Sequence, residues 1–163
     1  MEGPEFLNCT IGMLAIALWD ADRRSLFLAR DRMGIKPLYV AETPKGVAVA
    51  SEFKSLLAVP GVSREIDLGA LDAYLSVRFI PAPLTMVEGI RKFPAGHLTT
   101  VKRGQPLRPE PWWDIRFCSG SGPVRREHEE ALDELLIDSV RQCLVSDVPY
   151  GAFLSGGIDS GLV

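Results

Sequence analysis

Residues 149–163 read PYGAFLSGGIDSGLV, and their order predicts a strand, a glycine turn and a helix start in succession. The apolar run 151–154 is typical of a short buried strand, residues 155–157 carry little side-chain bulk, and Ile158 opens a helical pattern. A junction of this kind directs several unpaired backbone N–H groups to one point, with the positive end of the helix dipole behind them. The segment is therefore suited to binding an anion such as a phosphate.

Three side chains extend this prediction from an anion to a nucleotide. The hydroxyls of Ser155 and Ser160 can donate to phosphate oxygens, and Asp159 can face the Mg²⁺ that accompanies a nucleotide. The glycines at 156 and 157 let the backbone approach the ligand. The segment is not a Walker A loop, because it lacks the lysine of the G-x-x-x-x-G-K-S/T pattern.

The hexapeptide SGGIDS, residues 155–160, resembles the pyrophosphate loop of the ATP-pyrophosphatase enzymes, which adenylate a carbonyl or carboxylate oxygen and release pyrophosphate. The resemblance implies ATP and Mg²⁺ as cofactors, with Asp159 as a metal ligand. It also implies a set of nucleotide-binding residues: Leu154, Ser155, Gly156, Gly157, Asp159 and Ser160. The family usually has a second hydroxyl residue where this chain has Gly161, so one phosphate contact is expected to be missing. A serine- and glycine-rich turn without a ligand is the alternative interpretation.

Composition and charge argue against several classes of protein. The 163 residues are 47% hydrophobic and 24% charged, and the net charge of −3 offers no basic surface to a nucleic acid. No apolar run approaches the roughly 20 residues of a membrane span, and the region of Met1 lacks the pattern of a signal peptide. We therefore expect a cytoplasmic protein that binds neither nucleic acid nor membrane. The three widely separated cysteines, Cys9, Cys118 and Cys143, fit reduced thiols better than a disulfide or zinc framework.

Residues 12–57 alternate short apolar runs with turn signals, which is typical of an antiparallel sheet. The predicted strands form two hairpins and cover residues 13–19, 26–29, 38–41 and 47–50. The run MLAIAL, residues 13–18, is apolar throughout, so we expect this strand to be covered on both faces. Ser51 is the predicted N-cap of a short helix. A further helix is predicted over residues 68–77.

A second resemblance covers this half of the chain. Five segments look like the later half of the glutaminase domain of glutamine-dependent asparagine synthetases, and they follow one another in the same order. They are GMLAIALWD (12–20), ARDRMGIKPLYV (29–40), ASEFKSLL (50–57), GIRKFPAGHL (89–98) and PWWD (111–114). The resemblance implies a layered α+β fold like that of the N-terminal-nucleophile amidotransferases, present in part, followed by the start of an α/β ATP-pyrophosphatase domain.

The glutaminases of this family use an N-terminal cysteine whose own α-amine serves as the base. Here residue 2 is Glu and Cys9 is internal, and the family's glutamine-binding loops should precede residue 12. We therefore expect the chain to begin inside the glutaminase domain and to contain no catalytic residue for glutamine hydrolysis.

Several residues of this half admit a structural and a functional interpretation. We favour an ion pair at a strand end for residues 30–32, against a carboxylate-binding cluster. A structural role is favoured for His97, against that of a base. Trp112 and Trp113 fit a hydrophobic plug between domains better than ligand stacking.

The end of the chain has a different pattern. Residues 126–146 predict an amphipathic helix with its acidic residues concentrated toward the N-terminus, where they favour the helix dipole. We therefore predict three parts: the C-terminal part of a type 2 glutamine amidotransferase domain (1–114), a glycine-rich linker (115–125) and the truncated start of the ATP-binding synthetase domain (126–163).

The resemblance implies a glutamine-hydrolysing asparagine synthetase. Such an enzyme adenylates aspartate with ATP and amidates it with ammonia from glutamine, and a homodimer is compatible with it. This chain by itself is expected to be an inactive fragment. Two alternatives stay open: a related enzyme that amidates another carboxylate or closes a β-lactam ring, and a decayed product without activity.

Overall fold

The structure, a computed structural model, describes residues 4–117 and 125–162. It has a mixed α/β fold with antiparallel sheets, and the chain divides into two compact units, Met1–Ile115 and Arg116–Val163. After a short 3₁₀ helix, Pro4–Cys9, the first unit contains nine elements. In chain order they are β1 (Ala15–Asp20), β2 (Ser25–Arg30), β3 (Tyr39–Thr43), β4 (Gly46–Ala50), α1 (Phe53–Leu56), α2 (Leu68–Val77), β5 (Ile90–Lys92), β6 (His97–Lys102) and β7 (Glu110–Pro111).

Two antiparallel sheets organise the first unit. The first sheet has the order β1-β2-β6-β7, and the second has the order β4-β3-β5. Both predicted hairpins, β1–β2 and β3–β4, are confirmed. Their turns use local chemistry: the Asp20 carboxylate accepts from the Arg23 N–H at 2.9 Å, and the Thr43 hydroxyl donates to the Gly46 carbonyl at 2.9 Å.

The second sheet is buried on both faces because its side chains alternate between two cores. Leu38, Val40 and Phe93 point to one face, where they pack with Leu28 of β2. Ala41 and Ile90 point to the other face, where they pack with Leu56 of α1 and with Val87. The register of β3 and β5 produces this division, since Val40 pairs with Arg91 and Tyr39 pairs with Lys92.

The helices of the first unit confirm one prediction and correct another. Helix α2 has the predicted bounds, and the Asp67 carboxylate caps it by accepting from the Ala70 N–H at 2.9 Å. Ser51 is not the N-cap of α1. The chain is still extended at Glu52, which occupies the N-cap position, and no side chain caps this helix. The four-residue α1 is instead fixed by burial of Leu56.

The expectation that β1 is covered on both faces is wrong. β1 lies at the edge of its sheet, where it pairs only with β2 among the described residues, and the Trp19 side chain is 59% exposed. A continuous apolar run shows that a strand carries apolar side chains on both faces. It does not show whether other residues of the same folded unit pack against both of those faces.

In the second unit the structure describes two helices, α3 (Arg126–Cys143) and α4 (Ile158–Leu162). The predicted helices at these places are confirmed, but the strand predicted over residues 151–154 does not form, and Phe153 is 99% exposed. A strand needs a neighbouring backbone to pair with, and no described segment of this unit pairs with residues 151–154.

Most of the predicted linker, and Cys118 with it, lies outside the described residues. Cys9 and Cys143 carry exposed free thiols. Among the described helices, none combines the length and apolar character needed to cross a membrane.

Candidate functional site

The segment 154–160 forms a turn that is closed by its own two hydroxyl groups. The Ser155 and Ser160 Oγ atoms lie 2.9 Å apart, and the Ser155 backbone N–H also points at the Ser160 Oγ, at 3.3 Å. The Ser160 hydroxyl donates to the Gly157 carbonyl at 3.2 Å. Either hydroxyl can be the donor of the Ser155–Ser160 pair. The two serines therefore hold the turn in one shape.

The glycines of the turn have different roles. Gly156 has φ = +78°, a left-handed conformation that side chains other than glycine rarely adopt. Gly157 starts the helix, because its carbonyl accepts both the Ser160 hydroxyl and the Gly161 N–H, the latter at 3.0 Å. The backbone of the turn therefore favours glycine at residue 156, whereas residue 157 acts through its carbonyl group at the transition into α4.

The structure brings together Ser155, Gly156, Gly157 and Ser160 of the predicted set. Asp159 lies in the first turn of α4 and is exposed, so its carboxylate is accessible to a cation. Leu154 precedes the turn and is also exposed. Within residues 4–117 and 125–162 no three His, Cys, Asp or Glu side chains cluster around a point that could hold a metal ion.

The arrangement suits phosphate binding more than acid–base chemistry. The first N–H groups of α4 lack intrahelical partners, and the serine hydroxyls stand beside them. The hydrogen bonds between the serines preorganise the turn, so that binding does not first have to order it. We find no nucleophile and base pair in the turn.

The second group of residues singled out from the sequence, 30–32, is neither an ion pair nor a carboxylate-binding site. The Arg30 guanidinium donates to three backbone carbonyls, those of Gly34, Lys36 and Phe93. Burial lowers the pKa of this guanidinium, and the negative charge of Asp31 acts in the opposite direction. The sequence showed the charges, but not that main-chain carbonyls would be their partners.

The Asp31 carboxylate is buried, and it accepts from backbone N–H groups of the following turn. The N–H groups of Ile35 and Lys36 donate to it at 2.9 Å each, and that of Met33 at 3.2 Å. Arg30 and Asp31 thus bind the carbonyls and the amides of one connection, residues 31–36. Their role is to fix this loop between β2 and β3.

The side chains of Trp112 and His97 in the first unit also make contacts that stabilise the fold. The Trp112 indole N–H donates to the Arg30 carbonyl at 3.2 Å, and the Arg32 guanidinium lies 5.2 Å from the Trp112 ring centre. His97 places its Nδ1 atom 2.7 Å from the Ala95 carbonyl oxygen, which supports the structural interpretation of this residue. The plug between domains that we predicted for Trp112 and Trp113 stays a prediction.

One role was missed in the sequence. The His128 Nδ1 atom accepts the Arg125 N–H at 3.2 Å, and thereby satisfies a backbone donor at the start of α3. The usual signal for this interaction is Ser or Thr followed three residues later by Glu or Gln, and this chain has Arg125 and His128 there.

Comparison with known proteins identifies the family. Residues 1–113 match the profile of the glutamine amidotransferase domain, and residues 131–163 match that of asparagine synthase. The chain therefore belongs to the family of glutamine amidotransferase domains.

The relatives are for the most part glutamine-hydrolysing asparagine synthetases, which confirms the resemblance seen in the sequence. A Mycobacterium tuberculosis protein, which carries the provisional name of a glutamine-hydrolysing asparagine synthetase, is 41% identical over 97% of this chain and 25% of its own length. Asparagine synthetase 1 of Bacillus subtilis is 36% identical over 93% of this chain and 24% of its own length. Amidase chry2 of Gibberella zeae is 36% identical over 99% of this chain and 24% of its own length. The chain thus spans about a quarter of the length of the curated relatives it matches.

Proposed function

We propose that the chain is part of a glutamine-hydrolysing asparagine synthetase, a carbon–nitrogen ligase. In that enzyme ATP and Mg²⁺ would convert the side-chain carboxylate of aspartate into an acyl-adenylate with release of pyrophosphate, and ammonia from glutamine would attack the adenylate. The observation that carries this proposal is the preorganised turn of Ser155 and Ser160, which falls within the residues that match the asparagine synthase profile. The substrates are small molecules, and we infer a cytoplasmic enzyme.

The turn would hold the departing pyrophosphate. On binding, the Ser155 and Ser160 hydroxyls would exchange their hydrogen bonds within the turn for bonds to the pyrophosphate oxygens, and the first N–H groups of α4 would donate to the same oxygens. Gly156 and Gly157 would keep the backbone accessible. Asp159 would face the Mg²⁺ that accompanies the phosphates, and Leu154 would contribute its backbone to the start of the turn. When bound, the ion would supply positive charge to the leaving group, and the turn together with Asp159 would position that group.

We further propose that the three-part organisation predicted from the sequence holds: 1–114 as part of a layered N-terminal-nucleophile glutaminase domain, 115–125 as the linker, and 126–163 as the start of the ATP-pyrophosphatase domain. The profile matches to residues 1–113 and 131–163 support it. In this organisation the chain contributes no catalytic residue to glutamine hydrolysis. The exposed thiol of Cys9, at the end of the 3₁₀ helix, has no hydrogen-bonded base among the described residues.

A second candidate is an enzyme that amidates a carboxylate other than that of aspartate. It is favoured by the Gibberella relative, which is as similar to this chain as the Bacillus synthetase but is not named an asparagine synthetase. Exchange assays with alternative carboxylic acids in place of aspartate separate the two candidates.

The test uses a chimera in which this chain replaces the corresponding quarter of the Bacillus subtilis relative. We expect aspartate-dependent exchange of pyrophosphate into ATP, and Asp159→Ala should lower its rate roughly a thousandfold or more. Asp133→Ala, which removes an exposed carboxylate from α3, is the matched control and should keep the rate.

Ser160→Ala should lower the exchange rate as well, because it removes the acceptor that holds the turn, whereas Ser139→Ala in α3 should not. Glutamine hydrolysis by the chimera should persist in every variant. A chimera without exchange activity, or an Asp159→Ala variant with undiminished exchange, would contradict the assignment of residues 154–160 as the ATP loop.

A further inference from the structure

A cavity of about 560 Å³ lies in the first unit, on the Val40 face of the second sheet. Its size is in the range of sites that bind small molecules. The buried side chains of Val40 and Phe93 form its floor, and Leu107 forms part of its wall. The cavity extends over Gly89, where a side chain would meet nothing within 4 Å.

Strand register places two opposite charges at this cavity. Val40 pairs with Arg91 across β3 and β5, so Arg91 projects on the same face as Val40. Glu42 is two residues from Val40 on β3 and projects on that face too. Residues in this diagonal relationship have Cα atoms roughly 7 to 8 Å apart. A carboxylate and a guanidinium thus line one cavity side by side.

Neither charge is neutralised by an ion pair in the described part of the chain. The ion pairs found there join Asp20 to Arg23, Glu52 to Lys54 and Arg126 to Glu130. One carboxylate oxygen of Glu42 accepts the Leu107 N–H at 3.3 Å, which leaves the other oxygen available. The two exposed side chains therefore present an anion and a cation above an apolar floor.

From this arrangement we propose that the cavity binds a free α-amino acid with an apolar side chain. Glu42 accepts from its ammonium group, Arg91 donates to its carboxylate in a bidentate geometry, and its side chain rests on Phe93 and Leu107. A simple anion would be repelled by Glu42 and a simple cation by Arg91, so the pair selects a ligand with both charges. The site uses no residue of segment 154–160, and it is independent of the proposed synthetase function.

L-Leucine is the first probe, titrated into the full 163-residue chain by isothermal calorimetry. We expect saturable binding in the millimolar range or tighter, with one site per chain. N-Acetyl-L-leucine lacks the ammonium charge, leucine methyl ester lacks the carboxylate, and glycine lacks the apolar body. Each of these three compounds should bind at least about tenfold more weakly than leucine. No saturable binding of leucine, or equal binding of the N-acetyl derivative, would overturn the proposal.

Variants test the residues directly. Glu42→Gln and Arg91→Gln should each weaken leucine binding about tenfold or more. Glu88→Gln and Arg64→Gln remove the same charges from exposed residues outside the cavity lining, and they should leave binding unchanged. Exchanging the charges in the double variant Glu42→Arg, Arg91→Glu should recover part of the binding lost in the single variants, which a merely misfolded protein would not do. Unchanged affinity in both single variants would contradict the assignment.

Discussion

The guanidinium of Arg30 donates a hydrogen bond to the carbonyl oxygen of Phe93, which lies 63 residues further along the chain. The same guanidinium binds the carbonyls of Gly34 and Lys36. One side chain at the end of β2 thus joins the loop before β3 to the end of β5. These bonds connect the first sheet to the second, so Arg30 contributes to the stability of the whole first unit.

Replacing this side chain should therefore be costly. We expect Arg30→Ala to lower the free energy of unfolding by about 2 to 3 kcal/mol, because it removes charge-assisted bonds and leaves partly buried carbonyls without donors. Urea denaturation monitored by tryptophan fluorescence measures the change. Arg23→Ala is the control: its exposed ion pair with Asp20, at 3.8 Å, should contribute less than about 1 kcal/mol. Equal effects of the two substitutions would refute the linking role of Arg30.

Gly96 supports a tight contact with the paired tryptophans. It has φ = +63°, and a Cβ atom at this residue would lie 2.6 Å from the Trp113 carbonyl oxygen. Gly96→Ala should therefore destabilise the chain by more than the roughly 1 to 2 kcal/mol of a left-handed alanine. Gly104→Ala is the matched control, because Gly104 has φ = +79° and an open environment. Similar unfolding free energies for the two variants would show that the contact with Trp113 relaxes without cost.

Lys92 should make stability depend on pH in the alkaline range. Burial lowers the pKa of its amine below the usual 10.5, and the positive charge of Arg30 acts in the same direction. Between the lowered value and 10.5 the unfolded chain binds more protons than the folded chain, so this residue makes stability increase as the pH rises through that window. Unfolding free energies measured over this range should show the increase in the unsubstituted chain and lose it in Lys92→Met. Lys54→Met, which changes an amine that is 78% exposed, should retain it.

Gly161 offers a test inside the proposed ATP loop. A Cβ atom at this residue meets nothing within 4 Å, so Gly161→Ser should fit without strain. We expect a gain of about 0.5 kcal/mol in helix stability and an unchanged rate of pyrophosphate exchange in the chimera. A clearly lower KM for ATP in the serine variant would instead show that the glycine weakens phosphate binding.

Limited proteolysis tests the proposed linker. Trypsin at trace concentration should cleave first after Arg116, Arg125 or Arg126, because these arginines flank or lie within the glycine-rich segment. Mass spectrometry of the earliest fragments identifies the bonds. A first cut within the hairpins of residues 15–50 would mean that the boundary is misplaced.

Local sequence patterns were sufficient to predict much of the secondary structure of this fold. The hairpins and the bounds of α2 followed from alternation, turn residues and helical periodicity, which act between near neighbours in the chain. The turn of residues 154–160 was also predicted from its glycines and hydroxyl residues. Its hydrogen-bond pattern was not, because the pairing of Ser155 with Ser160 depends on the conformation of the loop.

The failures share a dependence on partners that are distant in the chain. Residues 151–154 have the composition of a strand but no neighbouring strand in the described structure. The sequence suggested a carboxylate as the partner of Arg30, but its guanidinium donates to backbone carbonyls instead. Glu42 and Arg91 lie 49 positions apart, and only the register of β3 with β5 brings them to one cavity. Nothing local in the sequence marks either residue.

The exposed edge of β1 has a practical consequence for anyone who handles this chain. Its outer backbone groups pair with no strand in the described structure, and it carries the partly exposed side chains of Leu18 and Trp19. An apolar edge of this kind can template the addition of strands from other molecules and so start aggregation. Dilute solutions and a charged substitution such as Leu18→Lys should keep the isolated chain dispersed, and quenching of Trp19 fluorescence by iodide would report when the edge becomes covered.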